Sequence, residues 1–228
     1  RLAIYQPLQD NFILNSNGMR VPRAGHQTTL LNDGRVLITG GWEGGAVWTG
    51  SNASFTAEIF DPQTNTTTML ANLHAPRAWH TATLLNNGQV LITGGFSHNG
   101  SLASAEIFNP QTNMFTILEH SMSEGRGSHS ATILDDGSVL IIGGFSDANT
   151  ASNTAEIYYP NNQTFMLMAE PLNHARGAHA ALKLKNGKVL VSGGSNNVYA
   201  PSSPLASSEV FIGSGEIFDP SENSFTEI

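Results

Sequence analysis

A repeat with a period of about 50 residues runs through the sequence and constrains its fold more than any other feature. Each copy contains an Arg-x-x-His element, then a glycine pair, then a Glu-Ile-aromatic element that ends in Pro. The Arg-x-x-His elements begin at residues 23, 77, 126 and 176, so successive copies are 54, 49 and 50 residues apart. The glycine pairs begin at residues 40, 94, 143 and 193 and keep the same steps. Such a period predicts an array of similar supersecondary units.

Each copy is predicted to form four short strands. In the second copy, apolar, β-branched and small residues fill 80–85, 90–93, 105–108 and 114–118, and residues that favour turns separate them. Tight Asn-Gly or Asp-Gly turns join the first strand to the second, which predicts antiparallel pairing. No stretch has a convincing helical period. The predicted unit is therefore a four-stranded antiparallel sheet.

The repeat predicts an all-β fold with four full units and an N-terminal half unit. Repeated sheets of about 50 residues are typical of the blades of a β-propeller, whose radial packing protects sheet edges. A solenoid of stacked hairpins is the alternative. The chain opens with Ala3-Ile-Tyr-Gln-Pro7, a degenerate copy of the third element, so a half blade is predicted first. Within a single domain, 1–228, the predicted boundaries are 1–18 for the half blade and 19–72, 73–121, 122–171 and 172–228 for the blades.

These elements resemble the kelch repeat. Its markers are the glycine pair after the second strand, an aromatic residue in the third strand, and an aromatic residue in the fourth, here Phe115, Phe165 and Phe225. The form His-x-Ala-x-Leu-x-x-x-Gly-x-Val-Leu-x-x-Gly-Gly looks most like the bacterial and galactose-oxidase-like branch. The family usually has Trp in the fourth strand, where this chain has Phe, or Thr67 or Thr68 in the first copy. The resemblance implies a kelch-type β-propeller.

The half blade predicts an incomplete ring. Kelch propellers usually close by pairing strands from both termini in one blade, as the resemblance implies. The strands that would complete the half blade do not follow Ile228. We expect either an internal piece of a longer propeller, in which missing blades complete the half blade, or completion by a partner or by self-assembly.

Composition narrows the class of protein. Lys and Arg total 10 against 18 Asp and Glu, a net charge of −8, which argues against a nucleic-acid partner. The sequence has no Cys, which excludes disulfides, thiolate metal ligands and the Cys–Tyr centre of kelch copper oxidases. No apolar run approaches the roughly 18 residues of a membrane span. Phosphate-loop, His-Glu-x-x-His and Gly-x-Ser-x-Gly motifs are missing, and we expect no cofactor.

The variable loops are the predicted binding surface. In an antiparallel blade, the one–two and three–four turns lie on one side, and the two–three loops and four–one connections lie on the other. The turns are short and uniform, whereas the two–three loops vary in length and content, as binding loops commonly do. Their aromatic rings could stack on a sugar, or they could simply cover the blade rim. The candidate ligand-binding residues are Trp42, Trp48, Arg77, Trp79, Phe96, His98, Phe145, Asp147 and Tyr199.

Two repeated sets of polar residues have both a functional and a structural interpretation. The four arginines could clamp a carboxylate ligand at the channel mouth, but each unit also has one Glu, which favours structural Arg–Glu pairs. The four histidines could hold a transition metal, but no carboxylate lies at a ligand-like offset. The resemblance to kelch repeats implies hydrogen-bonded core histidines instead, so no metal site is predicted. The sets are Arg23, Arg77, Arg126 and Arg176; Glu58, Glu106, Glu156 and Glu216; and His26, His80, His129 and His179.

The sequence predicts a non-catalytic module that binds a protein or a glycan through its variable loops. The alternative is a carbohydrate-active kelch enzyme such as a sugar-acid mutarotase, which requires unpaired Arg and Glu side chains at the channel mouth. Four Asn-x-Ser/Thr sequons and an acidic, Lys-poor composition favour an extracellular or cell-surface location. The sequons begin at Asn52, Asn65, Asn99 and Asn162.

Overall fold

The computed structural model describes residues 2–15, 18–44, 52–146, 150–196 and 212–228. In these ranges the chain forms twenty β-strands and no helix. The strands make four antiparallel four-stranded sheets and two two-stranded hairpins. The predicted all-β fold of repeated four-stranded antiparallel sheets is confirmed.

The strands follow one another in chain order, and each four-stranded sheet uses four that are consecutive apart from one short hairpin. The N-terminal hairpin consists of β1 (Leu2–Gln6) and β2 (Asn11–Asn15). Sheet 1 contains β3 (Gln27–Leu30), β4 (Val36–Thr39), β5 (Ala57–Asp61) and β6 (Thr66–Met69). Sheet 2 contains β7 (Thr81–Leu84), β8 (Val90–Thr93), β11 (Ala105–Asn109) and β12 (Met114–Ile117), with the short hairpin β9 (Phe96–Ser97) and β10 (Gly100–Ser101) in its two–three loop. Sheet 3 contains β13 (Ser130–Ile133), β14 (Val139–Ile142), β15 (Ala155–Tyr159) and β16 (Thr164–Leu167). Sheet 4 contains β17 (Ala180–Lys183), β18 (Val189–Ser192), β19 (Gly215–Asp219) and β20 (Ser224–Glu227).

The sheets stack against one another in chain order. The first strands of neighbouring sheets contact each other, β3 with β7, β7 with β13, and β13 with β17. The second strands are continuous apolar runs because successive side chains point to opposite faces, and both faces are covered. In β8, for example, Val90 and Ile92 pack in the core shared with sheet 1, and Leu91 packs in the core shared with sheet 3. Three apolar cores therefore join the four sheets.

The N-terminal hairpin matches the third and fourth strands of the sheets. Tyr5 lies opposite Phe12 as Phe108 lies opposite Phe115. The ring centroids are 5.2 Å apart in the hairpin and 4.9 Å apart in sheet 2. The hairpin pair is exposed, with Phe12 70% accessible, whereas Phe115 is 6% accessible in its core. This agrees with the sequence prediction that the chain begins with the later strands of a unit.

In sheet 2, the glycine pair at the end of the second strand is required by its conformation and its surroundings. Gly94 and Gly95 have φ angles of 63° and 99°, which favour glycine. A Cβ on Gly94 would collide with the carbonyl oxygen of Arg126, which belongs to the next repeat. A Cβ on Gly95 would lie 2.8 Å from the carbonyl oxygen of Ala78. The pair therefore allows neighbouring backbones to approach closely.

Candidate functional site

The four repeated arginines form buried ion pairs with the four repeated glutamates. In sheet 2, Arg77 Nη2 lies 2.8 Å from Glu106 Oε1, and both side chains are fully buried. The structural Arg–Glu interpretation is therefore confirmed, with both partners in the same repeat. The other pairs are Arg23–Glu58 at 2.6 Å, Arg126–Glu156 at 2.8 Å and Arg176–Glu216 at 2.8 Å.

Each ion pair is part of a larger hydrogen-bond network that fixes the start of the first strand. Arg77 Nη1 donates to the carbonyl oxygen of Gly94 at 2.6 Å. Glu106 accepts hydrogen bonds from the backbone N–H groups of His74 and Ala75 at 2.8 and 3.2 Å. These bonds offset much of the cost of burying the pair. Among the described residues, Arg77 Nε has no hydrogen-bond partner, and the same is true of Nε in Arg126 and Arg176. The arginine thus joins the second strand, the third strand and the incoming four–one connection of its own sheet.

The electrostatics of Glu106 agree with a paired carboxylate. Burial alone would raise the pKa of this carboxyl, but Arg77 and the hydrogen bonds from His74 outweigh burial. The pKa of Glu106 therefore lies below its ordinary value, and the group stays ionised. A general acid needs the opposite shift, towards neutral pH.

The repeated arginines also connect neighbouring sheets through their backbone. The carbonyl oxygen of Arg77 accepts a hydrogen bond from Gly41 N of the preceding sheet at 2.9 Å. Gly95 N and Gly144 N donate in the same way to Arg126 and Arg176. Arg77, Arg126 and Arg176 are therefore each bound to their own sheet by the side chain and to the preceding sheet by the main chain.

The repeated histidines lie just before the first strands and make a second set of inter-sheet bonds. His80 Nε2 bonds to Thr39 Oγ1 of sheet 1 at 2.8 Å, and His179 Nε2 bonds to Ser130 Oγ of sheet 3 at 2.8 Å. His129 Nε2 lies 3.1 Å from the hydroxyl of Thr93 in sheet 2. This is the hydrogen-bonded core role that the sequence favoured. Within the described ranges, no three His, Asp or Glu side chains are grouped so that they could hold a metal ion.

Burial controls the ionisation of these imidazoles. Desolvation, followed by the charge of the arginine three residues earlier, holds the pKa of His80 and His129 well below the ordinary value. The same causes lower the pKa of His179 to about 4. The rings are therefore neutral at pH 7, as buried hydrogen-bonding groups rather than charged ligand anchors.

Three of the candidate aromatic residues, Trp42, Phe96 and Phe145, each directly follow a glycine pair. Trp42 and Phe145 are 5% and 4% exposed, and Phe96 is half-buried. The ring of Phe96 covers Gly127 of the next repeat, and that of Phe145 covers Gly177 in the same way. Phe145 therefore leaves little of its ring for a ligand, whereas Phe96 stays partly exposed.

The remaining candidates are distributed over several sheets. Trp79 is half-buried with its ring against Gly25, and Phe96 comes near it because Phe96 bridges to Ala78. His98 is exposed in the β9–β10 turn. Arg77 is fully buried in its ion pair. Trp48, Asp147 and Tyr199 lie outside the described residues.

Sequence reasoning missed a pair of glutamates on the variable-loop side. Glu124 Oε1 accepts hydrogen bonds from Ser152 Oγ and Thr154 Oγ1, both at 2.5 Å, and from Arg126 Nη2 at 3.1 Å. In sheet 1, Glu43 bonds in the same way to Ser54 and Thr56, although it comes from the two–three loop and not from the four–one connection. The available signal was the Ser-x-Thr before the third strand, which has Leu102 or Ile212 in place of Ser in repeats 2 and 4.

Open grooves lie on the opposite side, between the short turns. One, of about 580 Å³, is lined by the one–two turns of sheets 3 and 4 and the three–four turn of sheet 4, including Asp136, Lys188 and Asp219. Another, of about 510 Å³, lies between sheets 1 and 2 beside Asn32, Asn87 and other residues of the same turns. The two kinds of turn therefore share one side, as the antiparallel pattern predicted.

Comparison with known families agrees with the repeat. The sequence model of the Kelch motif matches residues 80–119 and 126–172. These two repeats therefore carry the Kelch motif, and the resemblance to the kelch repeat seen in the sequence is confirmed there. No curated protein matches the chain. The described ranges contain no helix with the length and apolar character of a membrane span.

Proposed function

We propose that this chain is a protein-binding module that presents the variable-loop side of a kelch β-propeller to its partner. Kelch repeats generally mediate protein binding. The observation that carries the proposal is the contrast between the two sides. The short turns repeat with little change, whereas the loops supply Glu43 in sheet 1, the β9–β10 hairpin with His98 in sheet 2, and Glu124 in sheet 3. A rigid frame with divergent loops suits recognition.

The enzyme alternative has lost its main support. A sugar-acid mutarotase would need the arginines and glutamates free at the channel mouth, and Arg77 is instead locked to Glu106 inside the sheet. A glycan ligand is less favoured than a protein because Trp42 is buried and offers no open ring face for stacking.

We extend the proposal to architecture and location. The contacts between successive first strands support an arrangement of the sheets as consecutive propeller blades around an axis. An extracellular or cell-surface location is supported by the exposure of all four sequon asparagines. Those residues are Asn52, Asn65, Asn99 and Asn162.

Site-specific photo-crosslinking tests the binding side. A benzophenone amino acid replaces His98 on the variable-loop side or, as the matched control, exposed Gln111 on the short-turn side. We expect a protein from the native source to crosslink through position 98 and not through position 111. The same partner captured only through position 111 contradicts the proposal. If the purified chain binds to a glycan array and no protein is crosslinked, the ligand is a glycan and not a protein.

A further inference from the structure

The outer edges of the four sheets present unpaired backbone. The fourth strands β6, β12, β16 and β20 stand at the ends of their sheets and pair with a neighbouring strand on one side only. In antiparallel pairing, every second residue of such a strand directs its N–H and C=O away from the sheet. An edge of this kind is a template for another extended chain unless a side chain, a charge or a proline protects it.

The hydrogen bonds that follow these strands identify the outward-facing residues. Leu118 N donates to Ala105 O, and Met168 N donates to Ala155 O. The backbone N–H and C=O groups of Leu118 and Met168 therefore point towards the third strand of their own sheet. The residue before each one faces outward, and so does every second residue before that. The residues whose backbone N–H and C=O groups point away from the sheet are Phe115 and Ile117 in sheet 2, and Phe165 and Leu167 in sheet 3. Equivalent bonds from Leu70 and Ile228 give Thr67 and Met69 in sheet 1, and Phe225 and Glu227 in sheet 4.

The edges of sheets 1 and 4 are protected by side chains from the preceding four–one connection. In sheet 1, Arg20 Nε donates to the outward-facing carbonyl oxygen of Thr67 at 3.0 Å. In sheet 4, the edge residue Glu227 is charged, and its carboxylate bonds to His174 Nε2 at 3.0 Å. Both devices obstruct the approach of a further strand.

Among the residues that the structure describes, no side chain protects the edges of sheets 2 and 3 in this way. The backbone N–H groups of Arg20, His74 and Ser123 each donate to the glutamate of their own sheet, so the three positions correspond. The side chains of His74 and Ser123 also bond to that glutamate, Glu106 at 2.8 Å and Glu156 at 3.0 Å. They are therefore turned towards the inside of the sheet, whereas Arg20 reaches its outer edge.

The unprotected edges are also apolar. The strands β12, Met-Phe-Thr-Ile, and β16, Thr-Phe-Met-Leu, contain no charged residue and no Pro. Their exposed fractions are 54% for Met114, 52% for Ile117, 43% for Met166 and 51% for Leu167. Uncapped backbone and exposed apolar side chains thus coincide on two adjacent sheets.

We propose that β12 and β16 each accept an extended segment of a partner protein as a fifth strand, by β-strand addition. The backbone edge selects an extended chain, and the apolar side chains select alternating aliphatic residues. Exposed Glu119 and Glu170 lie just beyond the ends of these strands and favour a Lys or Arg at the end of the incoming segment. The net charge of −8 disfavours a second copy of this chain as the occupant. This edge surface is separate from the variable-loop side and does not depend on it.

A designed peptide tests the inference on the whole chain. The probe is fluorescein-labelled Lys-Thr-Val-Thr-Val-Thr-Lys, and its control carries an N-methyl group on the central Thr and on both Val residues. Proline at Ile117 and Leu167 removes outward-facing N–H groups and leaves the bonds within each sheet in place. We expect the double variant I117P/L167P to bind the peptide at least about tenfold more weakly, and the N-methylated peptide to bind as weakly to the unaltered chain. The matched control, Met69→Pro, occupies the same register in the capped sheet 1 and should leave the affinity unchanged.

Other results would overturn the inference. It is wrong if the unaltered chain does not bind the peptide, if both peptides bind equally, or if M69P weakens binding as much as I117P/L167P does. Thermal melts check that the proline variants fold, and I117K/L167K replaces them if they do not. Sedimentation tests whether a second copy of the chain occupies the edge instead. A dimer that dissociates in the edge variants would mean that a second copy pairs there. Crosslinking through position 98 is measured separately, so either proposal can fail without the other.

Discussion

The inner and outer parts of the same sheets differ in how strictly they repeat. At the inner part, the Arg–Glu pair occurs four times with separations between 2.6 and 2.8 Å. At the outer edge, one strand is capped by Arg20, one carries the charge of Glu227, and two have no such protection from any described residue. The inner groups contact two sheets at once, whereas an edge strand pairs only within its own sheet. Residues that contact two sheets must be kept in every copy, whereas edge residues that contact no neighbouring sheet are free to differ.

The largest expected effect comes from removing one of the buried Arg–Glu pairs. Replacing Arg126 by Ala leaves Glu156 buried without its counter-ion, so we expect the free energy of unfolding to fall by about 3–5 kcal/mol. Urea denaturation measures this change. The control Arg35→Ala removes a partly exposed pair with Asp33 and a hydrogen bond to Pro110 O, and should cost less than about 2 kcal/mol. Equal effects of the two substitutions would mean that the buried pairs do not support the fold.

Acid should weaken the contacts between sheets. The folded pKa of His80, His129 and His179 lies below the ordinary 6.5, so the unfolded chain binds protons that the folded chain does not. The free energy of unfolding should therefore be unaffected by these groups above pH 6.5 and fall as the pH decreases from 6.5 towards 4. For His179, with a folded pKa of about 4, the complete loss is roughly 3 kcal/mol.

Urea titrations at a series of pH values measure this dependence. His179→Gln should flatten the profile between pH 6.5 and 4, because one of the titrating groups is removed. A slope that H179Q does not change would show that protonation of this ring is not what destabilises the fold.

Glycine substitutions test how closely the sheets must approach. Gly94→Val and Gly95→Val should each destabilise the fold by more than about 1 kcal/mol, because both residues have positive φ and face backbone carbonyls of other segments. Thermal melts provide the measurement. Gly213 has open space around its Cβ position and no positive φ, so Gly213→Val is the matched control. An unchanged melt for G94V and G95V would refute the close-approach explanation.

The smallest expected effect comes from removing the side chain that caps the edge of sheet 1. Arg20→Ala removes a single, partly exposed hydrogen bond to Thr67 O, so we expect a stability loss of only about 0.5–1 kcal/mol. The same substitution opens the edge of sheet 1, and binding of the alternating Thr-Val peptide should increase. If R20A leaves peptide binding unchanged, Arg20 does not act as an edge cap.

The sequence predicted the inner part of the sheets better than the outer part. Strand pattern, glycine pairs and turn residues are local and occur at constant spacing, so the four-stranded unit followed from them. The Arg–Glu pairing followed from the equal number of the two residue types. The caps did not, because Arg20 and Thr67 are 47 residues apart and no other repeat has an arginine at that position. Glu43 and Glu124 were missed for a related reason, since they reach equivalent places from different loops.

The three apolar cores have a consequence for how the molecule unfolds. Every core is formed by residues of two adjacent sheets, so no sheet has an apolar core of its own. Sheets 2 and 3 each contribute to two of these cores, so losing either one would disrupt both of its cores. The described sheets are thus a set of linked equilibria, in which the stability of each sheet is shared with its neighbours.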